Sequence, residues 1–380
     1  MKKSLIALAF GTLGLGIAEF TMMGILPYVA DDLKISLPVA GHFISAYALG
    51  VCAGAPMLIL ARKRPLKHIL LILMALMLVG NLCASAASGY WMLLAARFVS
   101  GLPHGAYFGV AAIVAGKLAD EGKSSEAVSI MIAGMTVANL FGVPLGTSLS
   151  HSISWRVTFL LVACWGLITL YYIWRWVPAV EGVKDTGFKG QFRFLKKPAP
   201  WLILGATALG NGGVFCWYSY INPLLTHVSG FSVDSITALM VLAGFGMVVG
   251  NLVSGRFSDR YTPGKVGTFV QGMICVVLLL IFFLSPNPWC SALLMAVCTA
   301  GLFAVSSPEQ VLIIRVAPGG EMMGGACVQI AFNLGNAIGA YMGGLAIAEG
   351  YRYPALVGVP FALVGFILFF IFYKKFQSKY

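Results

Sequence analysis

A lone glutamate, Glu19, lies inside the first long apolar stretch of the chain, LIALAFGTLGLGIAEFTMMGILPYVA. If this stretch crosses a membrane, a charge at that depth costs about 3 kcal/mol or more. Ionisable residues that are kept in such places usually face a cavity and handle ions, protons or substrate. The chemistry expected of Glu19 is therefore the uptake and release of a proton.

Arg97 is the basic side chain that could act on Glu19. Glu19 lies about 11 residues, roughly 16 Å, from the outer end of its stretch, and Arg97 about 7 residues, roughly 10 Å, from the outer end of the fourth stretch. These depths are compatible with pairing, so both residues are predicted to couple transport to protons. A buried structural ion pair without such a role is the alternative.

Three other titratable residues lie in or near apolar stretches. Glu309 precedes Arg315 by six residues, close to the cytoplasmic end of the tenth stretch. Snorkelling or a local ion pair would explain this acid, and a part in proton coupling stays open. His42 and His104 could titrate near physiological pH, although such histidines are more often structural.

The composition places the chain in the membrane. Hydrophobic residues make up 59% and charged residues 10% of the 380 residues, and the mean hydropathy is +0.89. Spanning helices need about 20 apolar residues each, and twelve such stretches are present. The stretches cover residues 4–30, 39–60, 67–87, 90–115, 125–149, 156–177, 199–225, 233–254, 264–284, 288–314, 322–347 and 354–373.

The net charge of +12 follows from membrane topology and not from a nucleic-acid partner. With the amino terminus inside, 21 of the 25 Lys and Arg residues fall at cytoplasmic ends and loops; only Lys34, Arg156 and Arg352 fall outside, and Arg97 is intramembrane. Basic loops resist translocation. We therefore expect a multi-pass inner-membrane protein with both termini in the cytoplasm.

The chain shows no pattern typical of an enzyme or a metal site. Its eight cysteines form no CxxC pair and no cluster with histidine, and they are interpreted as small buried hydrophobes. No phosphate-binding loop and no nucleophile with a base is present. Neither a cofactor nor a metal is expected.

The longest hydrophilic segment, PAVEGVKDTGFKGQFRFLKKPAP, separates six stretches from six. This predicts an amino-terminal six-helix bundle over residues 1–177, a cytoplasmic linker over 178–198 and a carboxyl-terminal six-helix bundle over 199–380. Asn139-Leu140 and Asn333-Leu334 lie 194 positions apart. Such weak internal repetition is typical of transporters with two parallel halves.

The chain resembles the major facilitator superfamily over its whole length, and within it the twelve-helix drug:proton antiporter branch. The motifs that carry the resemblance are GMTVANLFGVPLG with Gly142, Pro144 and Gly146, RFVSGLPHG with Arg97, and GRFSDRYTPGK with Gly255, Asp259 and Arg260. The stretch AEFTMMGILPYVADDLKISLPVAGHFISAYALG is most similar to arabinose efflux permease-like proteins. The resemblance implies an all-α integral membrane fold of twelve transmembrane helices in two pseudo-symmetric bundles.

Two of these motifs also have plainer interpretations. Gly142, Pro144 and Gly146 remove side-chain bulk and one backbone donor, so they could allow a bend or close helix packing. Asp259 could lie at the positive end of a helix and hold the cytoplasmic side closed, or form an ordinary surface ion pair. The corresponding turn of the amino-terminal half, LILARKRPLKHIL, has no Asp, but it keeps basic residues such as Arg62.

The resemblance implies a substrate cavity between the two halves, and helical spacing selects candidate contacts. Asn211, Phe215, Tyr218 and Asn222 share one face of the seventh helix, and Gln329, Asn333 and Asn336 share one face of the eleventh. Amides on such faces bind a ligand or a neighbouring helix. The predicted substrate-binding residues are Phe20, Met23, Tyr47, His104, Phe108, Asn139, Asn211, Phe215, Tyr218, Asn222, Gln329 and Asn333.

Together these features predict a carrier that exports a small organic solute, sugar or drug-like, in exchange for protons by alternating access. Its partners would be the solute, protons and the lipid bilayer, and it would act as a monomer. A facilitator or a proton symporter of the same fold is the first alternative. A channel or a non-transporting receptor is a further one, although no filter-like repeated loop favours it.

Overall fold

The computed structural model describes residues 2–61, 63–183 and 186–379, and the regular structure of these residues is helical throughout. Eleven of their helices are long and apolar enough to cross a membrane, and a shorter apolar helix, His42–Leu58, lies within the second predicted stretch. The predictions that involve Met1, Arg62, Lys184, Asp185 and Tyr380 lie outside the described residues.

The long helices follow the predicted stretches closely. They are α1 Lys2–Asp32, α2 His42–Ala61, α3 Leu66–Ser85, α4 Tyr90–Leu118, α5 Ser124–Ser152, α6 Trp155–Trp176, α7 Pro198–Tyr218, α8 Ile236–Tyr261, α9 Pro263–Leu284, α10 Pro288–Val316, α11 Glu321–Glu349 and α12 Tyr353–Lys375. Short helical segments connect or follow them at Leu37–Ala40, Gly187–Gln191, Arg193–Lys196, Ile221–Pro223, Leu224–Val228, Val233–Ser235 and Gln377–Lys379.

Local sequence explains several helix boundaries. The Asn287 side chain accepts hydrogen bonds from the N–H groups of Trp289 and Cys290 and so caps α10, where Pro288 stands at a position that needs no N–H donor. Thr262, with a φ of 93°, turns the chain between α8 and α9 without an intervening loop. Pro263 then begins α9.

Three of the long helices are irregular in their middle. A π-helical turn interrupts α5 at Ala138–Gly142 and another interrupts α7 at Ala206–Gly210. Helix α10 consists of two helices, Pro288–Ala304 and Ser306–Val316. Single π-helical turns are frequent at functional sites, and discontinuous membrane helices often surround transport sites.

The chain packs into two compact units. The first contains Met1–Glu121, Ile130–Arg193 and Gly319–Ile330, and the second contains Gly122–Ser129, Phe194–Pro318 and Ala331–Tyr380. Each unit therefore includes a short segment from the other half of the sequence. The assignment of two six-helix bundles joined by residues 178–198 stays a prediction.

Glycines bring helices of the first unit into backbone contact. A Cβ at Gly50 or Gly54 of α2 would overlap a backbone carbonyl oxygen of α4, and a Cβ at Gly101 of α4 would overlap one of α2. Small residues at such spacing allow membrane helices to approach closely. The resulting contact fixes the register of α2 against α4.

The glycines of the α5 motif face α1 in the same unit. A Cβ at Gly142 would overlap Ile17, and a Cβ at Gly146 would lie 2.5 Å from Cγ2 of Thr21. Gly24 of α1 faces Thr147 of α5 in return. Close helix packing is therefore a role that these glycines perform.

A comparable row of glycines joins α7 and α11 in the second unit. A Cβ on any of them would overlap a main-chain carbonyl oxygen of α7. The three are Gly335 against Ala208, Gly339 against Gly212 and Gly343 against Cys216. The backbones of α7 and α11 are therefore in direct contact at these points.

Candidate functional site

Glu19 is buried inside the first unit. Its side chain lies on α1 and only 7% of the residue is exposed. Among its titratable neighbours is His104 of α4, whose Nδ1 lies 3.7 Å from Oε2 of Glu19. The acid therefore does not point at lipid, and its surroundings are polar side chains of the same unit.

Tyr47 of α2 holds the His104 ring in place. Its hydroxyl oxygen lies 2.9 Å from Nδ1 of His104 and donates to the carbonyl of Leu15 at 3.3 Å. The two rings meet edge to face, and the ring of Phe108 stacks on the other side of the imidazole at a centroid distance of 5.2 Å. The backbone contact of α2 with α4 brings these side chains together.

The direction of the Tyr47–His104 hydrogen bond depends on the tautomer of the imidazole. The hydroxyl of Tyr47 has one hydrogen and lies within hydrogen-bond distance of both the Leu15 carbonyl oxygen and Nδ1 of His104. Nδ1 also lies on the side of Glu19, whereas Nε2 has no hydrogen-bond partner in the described part of the chain.

Arg97 of α4 is fully buried beside this group. Its Nη1 donates to the carbonyl of Ala18 at 2.8 Å and its Nε donates to the carbonyl of Phe43 at 3.4 Å. The guanidinium carbon lies 4.5 Å from the centre of the Tyr47 ring and 5.4 Å from that of Phe159. Both of these hydrogen bonds go to main-chain carbonyls, and the action of Arg97 on Glu19 is electrostatic.

Three polar atoms of this cluster are buried and have no hydrogen-bond partner in the described part of the chain. They are Oε2 of Glu19, Nη2 of Arg97 and Nε2 of His104. Buried polar atoms are paired in the great majority of native structures, so each exception needs an explanation. An imidazole nitrogen, a guanidinium donor and a carboxyl group together could hold a proton or the polar groups of a small solute. We call Glu19, Tyr47, Arg97 and His104 the Glu19 cluster.

The remaining candidates of the first unit divide into two groups. Phe108 contacts the Glu19 cluster through its stacking on His104. Gln329 lies near α4, since a Cβ at Gly105 would be 3.5 Å from its Cβ. The others contribute little polar contact to the cluster: Phe20 is half-buried, Met23 is exposed, and the amide of Asn139 donates to its own helix at Met135, 3.0 Å away.

His42 lies apart from this cluster. Its Nδ1 pairs at 2.8 Å with the hydroxyl of Tyr90 in an exposed contact. This agrees with the structural interpretation of that histidine.

The candidate face of the seventh helix is shorter than predicted. Asn211 is fully buried, and the ring of Phe215 lies 5.3 Å from that of Phe332 and 6.4 Å from that of Tyr218. Helix α7 ends at Tyr218, however, and Asn222 is exposed in the next helical segment. The expectation that all four residues share one helical face was wrong for Asn222.

The candidate face of α11 spans both units. Gln329 is buried and belongs to the first unit, whereas the half-buried Asn333 and Asn336 belong to the second.

Among the residues that the structure describes, no basic partner of Glu309 explains its burial. It is 1% exposed, near the start of the second helix of α10. The side chains of Thr207 and Asn211 face its carboxyl group, and the acidic neighbour of Arg315 is Asp259. The local ion pair of Glu309 with Arg315, an alternative raised by the sequence, is therefore wrong.

Asp259 of α8 contacts the beginning of α5, and both segments belong to the second unit. Its two carboxylate oxygens accept hydrogen bonds from the N–H groups of Ser125 and Glu126 at 2.8 and 2.7 Å. The first N–H groups of a helix have no partner inside the helix and carry the positive end of its dipole. The carboxylate of Asp259 thus lies at the positive end of a helix, which is one of the two interpretations that the sequence allowed.

The neighbours of Asp259 strengthen this contact. A Cβ at Gly255 would overlap Ser129, and the amide of Asn251 donates to the Ser129 carbonyl at 2.7 Å. Asn251 was missed from the sequence, although 251, 255 and 259 recur every four residues on one helix face. Arg256 donates to Glu126 at 3.1 Å, while the exposed Arg260 lies over the ring of Tyr261 at 5.2 Å.

A contact in the first unit was also missed from the sequence. The hydroxyl of Thr186 and the amide of Gln191 donate to the carbonyl of Gly319 at 2.6 and 3.0 Å. Gly319 has a φ of 78° and lies two residues before Glu321, where α11 starts. In the first unit, residues of the hydrophilic segment therefore hold the chain at the beginning of α11.

No metal centre is part of this arrangement. Within residues 2–61, 63–183 and 186–379, no group of three or more His, Cys, Asp or Glu side chains could hold a metal ion.

The chain matches known proteins over most of its length. Residues 8–326 match the family model described as Major Facilitator Superfamily. The chain is 48% identical to AraJ of Escherichia coli (strain K12), over 100% of this chain and 97% of that protein. Its structure is similar to the crystal structure of the transporter FucP, with a TM-score of 0.77 at 15% identity over 97% of this chain and 98% of that one.

Two more distant relatives carry names that mention a substrate. A protein of Helicobacter acinonychis named "Probable sugar efflux transporter" is 26% identical over 99% of this chain and 95% of its own length. The "Chloramphenicol resistance protein" of Streptomyces lividans is 29% identical over 89% and 88% of the two chains.

Proposed function

Because the chain belongs to the major facilitator superfamily, we propose that it is a secondary active transporter that exports a small organic solute in exchange for protons. It acts in the inner membrane as a multi-pass monomer with both termini in the cytoplasm. The Glu19 cluster is the single observation that carries the proton coupling.

The Glu19 cluster has the groups that proton coupling requires. Glu19 supplies a carboxyl group away from lipid, and the guanidinium of Arg97 acts on its charge through a poorly solvated space. Protonation of Glu19 removes the negative charge of the carboxylate and leaves the positive charge of Arg97. The two protonation states therefore differ in how strongly the cluster attracts a polar solute.

The unpaired atoms of the cluster support a competition between proton and solute. A hydroxyl or amide group of a solute has both a donor and an acceptor, so it would satisfy Nε2 of His104 in either tautomer, and it would accept from Nη2 of Arg97. Binding of that solute beside ionised Glu19 and protonation of Glu19 then stabilise different states of the carrier. Exchange follows when the two states open to opposite sides of the membrane.

The solute class follows from the same side chains and from the relatives. The predicted contacts are amides, hydroxyl groups and aromatic rings, and such pockets suit a neutral or weakly charged molecule. The names of the two distant relatives mention sugar efflux and chloramphenicol resistance. We propose a sugar or a drug-like neutral solute.

The conformational part of the proposal rests on helix contacts. The contact of Asp259 with the first N–H groups of α5 is made in one conformational state of the carrier and broken in the other. The π-helical turn of α5 ends at Gly142, directly before Pro144 and Gly146, and provides a point where that helix changes its bend.

The experiment uses the full chain reconstituted in lipid vesicles that contain a pH-sensitive dye. Thermal-shift screening with arabinose, chloramphenicol and tetraphenylphosphonium selects the probe. When that probe is added outside vesicles with an acidic lumen, antiport makes the lumen more alkaline as protons leave. Empty vesicles give the background, and the Glu19→Gln variant should show no such change.

The same measurement separates the alternatives. A proton symporter would acidify the lumen when the probe enters, and a facilitator would leave the lumen pH unchanged. Saturable counterflow of labelled probe would exclude a simple channel. Either of the first two results would overturn the proposed exchange.

A further inference from the structure

The second unit contains a group of buried polar side chains that the proposed function does not use. Glu309 lies on α10, Thr207 and Asn211 lie on α7, and Gln271 lies on α9. A Cβ at Gly210 would overlap the amide of Gln271, which places that amide beside the α7 backbone next to Asn211. We call these four residues the Glu309 cluster.

All four members of the Glu309 cluster are buried. Glu309 is 1% exposed and the other three are 0% exposed. Both carboxyl oxygens of Glu309 and both polar atoms of Asn211 and of Gln271 lack a hydrogen bond of good geometry within the described residues. An ionised carboxylate at such a site would be strongly destabilised.

The charges around Glu309 do not compensate for an ionised form. Thr207 and Asn211, the groups that act on its carboxyl group from α7, are neutral, and no charged or titratable side chain of α8, α9 or the rest of α10 acts on it in the described part of the chain. Arg315 lies on the same helix, but its acidic neighbour is Asp259. The environment therefore favours the neutral acid.

The hydrogen-bonding capacity of Thr207 points to the same form. Its hydroxyl oxygen lies 2.9 Å from the Ile203 carbonyl, and while the hydroxyl hydrogen is donated to that carbonyl the oxygen offers a lone pair towards Glu309. A carboxylate has no hydrogen to donate to it. A carboxylic acid can make this bond.

Asn211 fits a carboxylic acid as well. A protonated acid has one donor and one acceptor, and the asparagine side chain has one acceptor oxygen and N–H donors. The two groups can therefore satisfy each other with two hydrogen bonds. With a carboxylate, only the N–H group of Asn211 could be used and its oxygen would stay unpaired.

Two of the three helices that carry this cluster are irregular next to its members. Thr207 belongs to the π-helical turn Ala206–Gly210, directly before Asn211, and Glu309 follows the division of α10 at Val305. Such irregular segments can change conformation at lower cost than a continuous helix. They provide a way for water to reach the carboxyl group in another state of the protein.

We propose that the Glu309 cluster is a second proton-binding site, in which Glu309 is a neutral acid hydrogen-bonded to Thr207 and Asn211. The site goes beyond the proposed function, because it lies in the second unit and shares no residue with the Glu19 cluster. Its ligand is a proton and not an alkali cation, because the neighbours of Glu309 are suited to its acid hydrogen.

Infrared difference spectroscopy of the full chain in lipid tests this site without substrate or a pH gradient. The C=O stretch of a protonated carboxylic acid is separated from the bands of carboxylates and of the backbone. We expect such a band at neutral pH, and we expect Glu309→Gln to remove it. Glu321→Gln is the matched control, because that carboxylate accepts the Gly319 N–H group at 2.8 Å near the start of α11 and should not contribute.

Two further variants keep the test informative if Glu309→Gln does not fold. Thr207→Val and Asn211→Leu remove the proposed partners, and each should shift the position of the same band. A wild-type spectrum without a protonated-acid band at neutral pH would overturn the proposal. So would a band that persists in folded Glu309→Gln, or one that sodium chloride removes when choline chloride does not.

The outcome is independent of the exchange proposed for Glu19. Glu19→Gln should abolish proton-driven transport and keep the Glu309 band. Loss of the Glu309 band in that variant would contradict a separate site.

Discussion

Asp259 accepts a 2.8 Å hydrogen bond from the backbone N–H of Ser125, a residue 134 positions earlier in the chain. Its second oxygen binds the next N–H group, so one carboxylate satisfies two of the donors that a helix leaves free at its beginning. The contact connects the end of α8 with the start of α5. It combines hydrogen bonding with the favourable field of the helix dipole.

We predict that Asp259→Asn loosens the first turn of α5. The amide keeps the shape but loses the charge, and one of its two polar atoms cannot accept an N–H bond, so the contact should weaken by about 1 kcal/mol or more. Hydrogen exchange of the Ser125–Ser129 amides should accelerate about fivefold. Asp234→Asn, at an exposed acid before α8, is the control; equal exchange in both variants would contradict a role for the Asp259 charge.

Glu19→Gln should keep the fold and abolish transport driven by a pH gradient. Glutamine preserves the size and polarity of the side chain but cannot exchange a proton. Uptake into vesicles with an acidic lumen should fall to that of empty vesicles, while counterflow without a gradient continues. Glu349→Gln, an exposed acid at the end of α11, should leave both rates unchanged. Undiminished gradient-driven uptake in Glu19→Gln would remove Glu19 from the mechanism.

Tyr47→Phe should disturb His104 without affecting the packing of Arg97. The ring under the guanidinium remains, but Nδ1 of His104 loses its hydrogen-bond partner, and a buried unpaired polar group costs about 1–3 kcal/mol. Thermal unfolding should show that loss, and the pH profile of transport should change. Tyr90→Phe removes the hydroxyl from an exposed tyrosine–histidine pair and is the matched control. Equal effects of the two substitutions would show that burial of the Tyr47 pair is unimportant.

Arg97→Ala should move the pH profile of transport to higher pH. Without the guanidinium, the negative form of Glu19 loses a favourable interaction, and protonation becomes easier. Arg97→Lys keeps a positive charge but loses the planar stacking on Tyr47 and Phe159. It should shift the profile less than alanine does and still reduce stability. An unchanged profile in both variants would assign Arg97 a structural role only.

Gly54→Ala should destabilise the first unit although it adds a single methyl group. Its Cβ would overlap the Leu102 carbonyl, so α2 and α4 would have to separate, at a cost of about 1–3 kcal/mol. Gly89→Ala is the matched control, because nothing lies within 4 Å of that Cβ. The thermal unfolding midpoint in detergent should fall only for Gly54→Ala. Equal midpoints would mean that the helices separate without cost.

The helices were predictable because length and hydropathy are local properties of the sequence. Glu19 and Arg97 could be selected for the same reason, since charged residues are rare in apolar stretches. The Tyr47–His104 contact could not be predicted, because it joins residues 57 positions apart. It depends on how closely α2 and α4 approach.

Two expectations were wrong, the place of Asn222 on the seventh helix and the ion pair of Glu309 with Arg315. The sequence contained a signal against each of them. Pro223 directly follows Asn222, and a proline at that point disfavours continuation of the helix. Glu309 and Arg315 are six residues apart, whereas helical neighbours are three or four apart. The Gly319 contacts of Thr186 and Gln191 had no such signal, because they depend on how the hydrophilic segment folds over the unit.

The glycine row of α11 restricts how the second unit can deform. Where two backbones touch directly, no side-chain rotamer is available to absorb a relative shift, so α7 and α11 are mechanically coupled over the length of the row. We therefore expect a displacement that begins at the π-helical turn of α7 to move α11 together with α7. The stiffness of the α7–α11 pair then comes from the direct contact of the two backbones at these three glycines.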